Sequence, residues 1–194
     1  MKRTLIITAV ALAGLGYFLA SPFVGLAHLR SAIAARNAAA VAERVDFQRL
    51  RRSLGEQIVA TYLKITGKGD KLGALGSAVA AGYGASLADP LLNDLVNPET
   101  MIDLLSGRGA APLHVSAGLP ALPANAFGSL FKLFANCEYG IGNFYISVPP
   151  DAAEDDQFRL RLQVLQWNWT LTEVGLPERL RIELAKELER RIGS

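Results

Sequence analysis

The stretch "QFRLRLQVLQWNWTLTEVGLP", residues 157–177, decides the fold class. Phe158, Leu160, Leu162 and Val164 alternate with Arg159, Arg161 and Gln163. A period of two sends the apolar set to one face of a strand and the polar set to the other, which predicts a half-buried antiparallel strand. "WNWTLTEVGLP" supplies its partner across a tight turn near Gln166 to Asn168, which would leave Trp167 exposed at the tip. Upstream, "CEYGIGNFYISVPP" (137–150) is aromatic and β-branched and ends in prolines, and "DAAEDD" (151–156) is an acidic turn. The three pieces predict a meander of three or four strands. One face of such a sheet is apolar and needs a cover.

The helices of the first half provide the cover. Phe47, Leu50, Leu54, Ile58, Tyr62 and Ile65 recur at steps of three and four, the stripe of an amphipathic helix from Phe47 to about Thr66. Asp46 stands where an N-cap carboxylate would accept the free N–H groups of the first turn. Gly67 is a natural C-cap, and Asp70 a natural N-cap for the glycine- and alanine-rich piece that follows. "ADPLLNDLV" and "NPETMIDLLSG" each carry an Asx residue followed by proline, the pattern of N-cap and first helical position, and Gly107 closes the second. Residues 106–126 are dominated by Gly, Pro and Ala and read as a long loop, with His114 inside it. "PERLRIELAKELERRIGS" closes the chain as a helix in which Leu180, Leu184, Leu188 and Ile192 step by four, and Glu187 is placed to pair with Arg191. This helix is expected to dock on the sheet or to join a partner helix, with docking favoured. Helices first and an antiparallel meander later make the expected class α+β.

The front of the chain is of another kind. From Thr4 to Leu29 there is no Asp, Glu, Lys or Arg. A helix of roughly 20 apolar residues crosses the hydrocarbon core of a bilayer. Lys2 and Arg3 precede the run, which predicts a cytoplasmic N-terminus and an exported remainder. An uncleaved anchor is the reading adopted over a cleaved signal, whose best site, Gly25-Leu26-Ala27, lies late. Pro22 is a place where this helix could kink. "RSAIAARNAAAVAERV" continues as alanine-rich helix, with Asn37 marking a break. The expected organisation is an anchor over 1–29, an α+β domain over 30–177 and a C-terminal amphipathic helix over 178–194.

Composition excludes several classes. The chain of 194 residues holds 20 Lys and Arg against 18 Asp and Glu, and removing Lys2 and Arg3 with the anchor brings the two signs into balance. No basic field remains to attract nucleic acid. Cys137 is the only cysteine, and the two histidines, His28 and His114, are far apart, so no zinc-type cluster and no internal disulfide is expected. No cofactor motif is present.

"LRSAIAARNAAAVAERVDFQRLRRSL" (29–54), "ADPLLNDLVNPETMIDLL" (88–105) and the closing "WNWTLTEVGLP" resemble the bacterial membrane-anchored family called domain of unknown function 2939. Val45-Asp46-Phe47 with Leu50-Arg51, and the ending from Trp169 to Pro177, carry most of the likeness, which runs over nearly the whole chain. Asn37 stands where that family commonly has an acidic residue. The resemblance implies an exported, single-span protein with no catalytic residues to carry over. A weaker similarity runs to the nuclear-transport-factor-two-like cone, in which helices pack in the concavity of a curved sheet; it implies a cavity without choosing a function.

Three functions compete on these grounds. The first is a non-catalytic envelope module that binds a small apolar ligand or a protein partner. Its lining residues would be Phe47, Leu50, Tyr83, Tyr139, Phe144 and Trp169, with Trp167 near them. The second is a structural subunit of a membrane complex, meeting another membrane protein through 178–194 and the "SAVAAGYGASLA" segment (77–88). The third is a cone-type enzyme with Asp46 or Glu138 as carboxylate base and Tyr139 as hydrogen-bond donor. The first is adopted, with the bilayer met through residues 4–29.

Overall fold

A computed structural model describes residues 2–68, 88–105, 137–148 and 152–193. Six helices and four strands fall within them: α1 (Lys2–Ala34), α2 (Ala38–Ala42), α3 (Phe47–Ile65), α4 (Asp89–Leu95), α5 (Pro98–Leu105), β1 (Cys137–Gly140), β2 (Asn143–Val148), β3 (Phe158–Leu165), β4 (Asn168–Gly175) and α6 (Glu178–Gly193). The class is α+β, as the alternation in 157–177 requires. The expected loop 106–126, Tyr83, Asp70 and His114 lie outside the described residues.

The strands form one antiparallel sheet in the order β1-β2-β3-β4. The strand-like piece 137–148 divides at Ile141-Gly142 into a hairpin, because Gly142 takes φ +71°, a left-handed value that glycine adopts without strain. Phe144 faces Leu162, Ile146 faces Leu160, and Val148 faces Phe158 across β2 and β3. All six are buried, as the period-two pattern demands. A bulge between Arg161 and Leu162 moves the β4 register by one, so that Leu162 faces Leu171 while Arg161 faces Glu173. Val164 is half exposed because it lies at the end of the sheet, beyond the helical cover.

The outer edge of β4 is covered by the chain just before α3. Val45 makes a parallel bridge to Leu171, with Leu171 N–H donating to Arg44 O at 2.8 Å and Asp46 N–H to Leu171 O at 2.9 Å. An exposed strand edge is thereby partly closed, and α3 starts at a fixed point beside the sheet. Asp46 is the N-cap the sequence predicts: its Oδ1 accepts the Arg49 N–H at 3.0 Å, and its Oδ2 lies 3.2 Å from Arg49 Nε. Removing the cap with Asp46→Ala should cost about 1 kcal/mol, while Asp46→Asn, which can still accept, should cost less. Chemical denaturation of the two variants checks the order. Further along, Gln57 bonds β4 with both ends of its amide. Nε2 donates to Val174 O at 3.0 Å and Oε1 accepts from Leu176 N–H at 2.9 Å.

α3 buries Leu50, Leu54, Ile58, Val59, Tyr62 and Leu63. α6 buries Leu180, Leu184, Ala185 and Leu188, and its main packing partner is α3, where docking on the sheet was expected. β4 runs directly into α6 through Leu176 and Pro177, which brings the helix back alongside α3. The pair Glu187–Arg191 forms as its spacing predicts, at 3.2 Å. Asn37 caps α2 through Ala40 N–H, and Asn97 caps α5 through Thr100 N–H at 2.8 Å. In α4 the cap position falls on Ala88 instead of Asp89, which sits inside the first turn. Gly67, at φ +66°, follows the end of α3 as expected of a C-cap glycine.

Candidate functional site: the seam between the apolar helix and the sheet

α1 runs unbroken through Pro22, and its two halves have different surroundings. From residue 6 to 20 every described side chain is exposed, and most are apolar. From Pro22 onward one face turns inward: Pro22, Gly25, Leu26, Leu29, Ala32 and Ile33 are buried, and Phe23 packs partly buried against the core. The change occurs where the helix meets the sheet.

Phe144 is the centre of that meeting. Three rings stand steeply inclined to it in T-shaped pairs: Phe23 at 5.1 Å and 71°, Tyr139 at 4.9 Å and 64°, and Trp169 at 6.3 Å and 69°. Edge-to-face pairs set the positive ring edge on the negative ring face, which is worth about 0.5–1.5 kcal/mol each beyond area burial. Gly25 makes the close approach possible. A Cβ there would lie 2.6 Å from the Cβ of Trp169, so only glycine lets α1 and β4 come this near.

Hydrogen bonds complete the seam at the proline. Pro22 has no N–H to give to the Phe18 carbonyl. Ser21 Oγ donates to Phe18 O at 2.8 Å instead, and Trp169 Nε1 donates to Ser21 Oγ at 2.9 Å. One residue on, Tyr139 OH donates to Leu19 O at 2.6 Å. The sheet therefore supplies donors where proline weakens the helix ladder, which is how a proline is tolerated inside a helix in apolar surroundings.

Burial, with a smaller contribution from Cys137, pushes the Tyr139 hydroxyl up to about 12. The phenol therefore stays protonated, and a donor, at neutral pH. The folded state holds this proton more tightly than the unfolded chain, whose tyrosines titrate near pH 10. The stability linked to it is thus fully present below about pH 10 and is lost as the pH rises from about 10 toward 12. Thermal unfolding at pH 9 and pH 11 should show a larger drop in wild type than in Tyr139→Phe, which has no proton to lose.

Of the residues expected to line a site, Tyr139, Phe144 and Trp169 are brought together here. Leu50 and Phe144 are fully buried, Phe47 is partly buried on α3 against the same core, and Tyr83 lies outside the described residues. Sequence reasoning missed Ser21, Phe23 and Gly25, which it assigned to the bilayer; the one signal was the Ser-Pro break in an uncharged, largely apolar run. The seam contributes rings, hydroxyls and an indole N–H, and none of its residues is a carboxylate or an imidazole. The two carboxylates considered as bases lie elsewhere. Asp46 is held by Arg49, and exposed Glu138 is paired with Arg159 at 2.6 Å. Among the described residues no group of three or more His, Cys, Asp or Glu is placed to hold a metal.

A long apolar N-terminal helix, packed on a helix-covered antiparallel meander, defines the class: an α+β domain with, among the described residues, one helix long and apolar enough to cross a membrane. Residues 11–104 match the family described as protein of unknown function (DUF2939), so the resemblance read from 29–54 and 88–105 is shown over that part of the chain. The ending from Trp169 to Pro177 falls outside the match, which is narrower than the near-complete likeness read from the sequence. No curated protein and no solved structure matches the chain, so the cone-fold resemblance has no counterpart among them.

Proposed function

We propose that the chain is a single-span inner-membrane protein with a cytoplasmic N-terminus and a non-catalytic extracytoplasmic domain that binds a partner at the membrane. The observation that carries this reading is the division of α1 at Ser21. Ile6, Ile7, Val10, Leu12 and Tyr17 are each more than 60% exposed, whereas two turns beyond Tyr17 the same helix is keyed into the sheet by Gly25. Covering five such side chains is worth roughly 10 kcal/mol at about 1.5–3 kcal/mol each, comparable to the whole stability of a domain. A bilayer supplies that cover.

The reading favours an uncleaved anchor. Cleavage after Ala27 would remove Phe23, Gly25 and Leu26 from the domain's own core. It also favours a protein partner over a small apolar ligand, because Leu50 and Phe144 present no free surface and Trp169 very little. The leucine stripe of 178–194 is already taken by α3, so a partner meeting that helix would meet its charged face or Ile192.

Fractionation tests the anchor: the full-length protein should sediment with membranes, resist alkaline carbonate and dissolve in detergent. A C-terminal alkaline phosphatase fusion should be active if the domain is outside. Full-length protein free in the soluble fraction, or an inactive fusion at normal abundance, overturns the reading. Native mass spectrometry of gently extracted protein then distinguishes a retained partner chain from a small bound mass.

A further inference from the structure

The two hairpin tips of the sheet point the same way. Gly140 pairs with Asn143 and Leu165 pairs with Asn168, so Ile141-Gly142 and Gln166-Trp167 are two-residue turns at one end of the sheet. Each carries a large apolar side chain that touches almost nothing: Ile141 and Trp167 are 102% and 98% exposed. This is also the end at which α1 leaves the body. Tyr139, two residues before Ile141, donates to Leu19 O, and Trp169, two residues after Trp167, donates to Ser21 Oγ. The tips thus lie close to Leu19 and Ser21, where the exposed apolar stretch 6–20 ends. Neither 139–146 nor 162–172 contains Asp, Glu, Lys or Arg.

The second turn is strained for no internal gain. Gln166 and Trp167 take φ +48° and +68°, the arrangement of a type I′ turn, in which Asn-Gly is the favoured pair. A bulky residue in the left-handed region is an outlier, and such outliers persist where something outside local geometry requires them. An indole, with an apolar ring and a polar N–H, is the side chain enriched where hydrocarbon meets headgroups.

We propose that Ile141 and Trp167 are seated in the phospholipid interface, so that the domain rests on the bilayer on two hairpin tips and α1. This rests on the reading of α1 as a membrane span. Residues 4–20 rise about 25 Å as a helix, short of the roughly 30 Å hydrocarbon core. The shortfall draws the next turn, with its outward Val24, and the adjoining tips down to the membrane surface.

The test uses the full chain in phosphatidylcholine–phosphatidylglycerol vesicles. An environment-sensitive fluorophore is placed by Ile141→Cys, Trp167→Cys or Glu154→Cys in a Cys137→Ser background. Glu154 lies in the connection at the opposite end of the sheet. Probes at 141 and 167 should emit blue-shifted and be quenched at least threefold more by nitroxide-bearing lipid than by aqueous iodide, with the reverse at 154. Iodide quenching at 141 and 167 equal to that at 154, in protein that floats with the vesicles, overturns the proposal and leaves the anchor standing. Protection from both quenchers overturns it in favour of a covering protein surface, such as a second copy. Protein that does not float sinks the anchor and this proposal together. As a check free of labels, Trp167→Gly should keep or raise the unfolding midpoint in detergent while losing most of the emission that brominated lipid quenches; retention of that quenched emission counts against the proposal.

Discussion

Phe144→Ala should destabilise the domain by about 3–5 kcal/mol, the range for deleting a fully buried aromatic side chain. Phe144 has no exposed surface, faces Leu162 across the sheet, and is the common neighbour of Phe23, Tyr139 and Trp169. The cavity would open where α1 joins β2, so the loss should be local before it is global. Hydrogen exchange should show residues 23–34 opening more readily, while the α3–α6 pair stays protected until global unfolding. Phe144→Leu keeps most of the volume and should lose less than half as much. A Phe144→Ala variant within 1 kcal/mol of wild type by denaturant unfolding would mean that the seam is not close-packed.

Gly25→Leu is expected to cost about 3 kcal/mol, near the upper end for overpacking. Two effects oppose one another at this position. Any side chain favours helix over glycine by up to about 1 kcal/mol. Against that, the first added carbon lies 2.6 Å from Trp169 Cβ, which is fixed to the β4 backbone and has no rotamer to retreat into. The overlap wins, and with the helix pushed off, the Trp169–Ser21 hydrogen bond breaks too. Gly16→Ala supplies the contrasting sign: nothing lies within 4 Å of the added carbon, so it should leave stability unchanged or raise it slightly. Equal stability of Gly25→Leu and wild type, measured in the same detergent, would place α1 elsewhere on the sheet.

Much of the architecture is legible in the residues themselves. The α3 boundary is local, because Asp46 needs only the N–H groups of the next turn to act as a cap. The alternation in 158–164 is equally local, since a pleated strand sorts its side chains whatever covers them. The pairing of Tyr139, Phe144 and Trp169 could be anticipated as aromatic content but not as a cluster, because it depends on how the β1–β2 hairpin and the bulge in β3–β4 set the register.

What the chain by itself determined is the set of elements: an apolar helix at the front, an amphipathic α3, a meander and a charged terminal helix, each dictated by period and caps within a few residues. Tertiary structure alone decided which partner each apolar surface takes. Leu12 and Leu26 look alike in sequence, yet one is exposed and the other is buried in the domain core. The same holds for α6, which packs chiefly along α3. Hydrophobic burial has no direction, so the choice of which neighbour covers each apolar face falls to contacts of defined geometry: a glycine at a crossing, a serine beside a proline, and a glutamine bonded to a strand end.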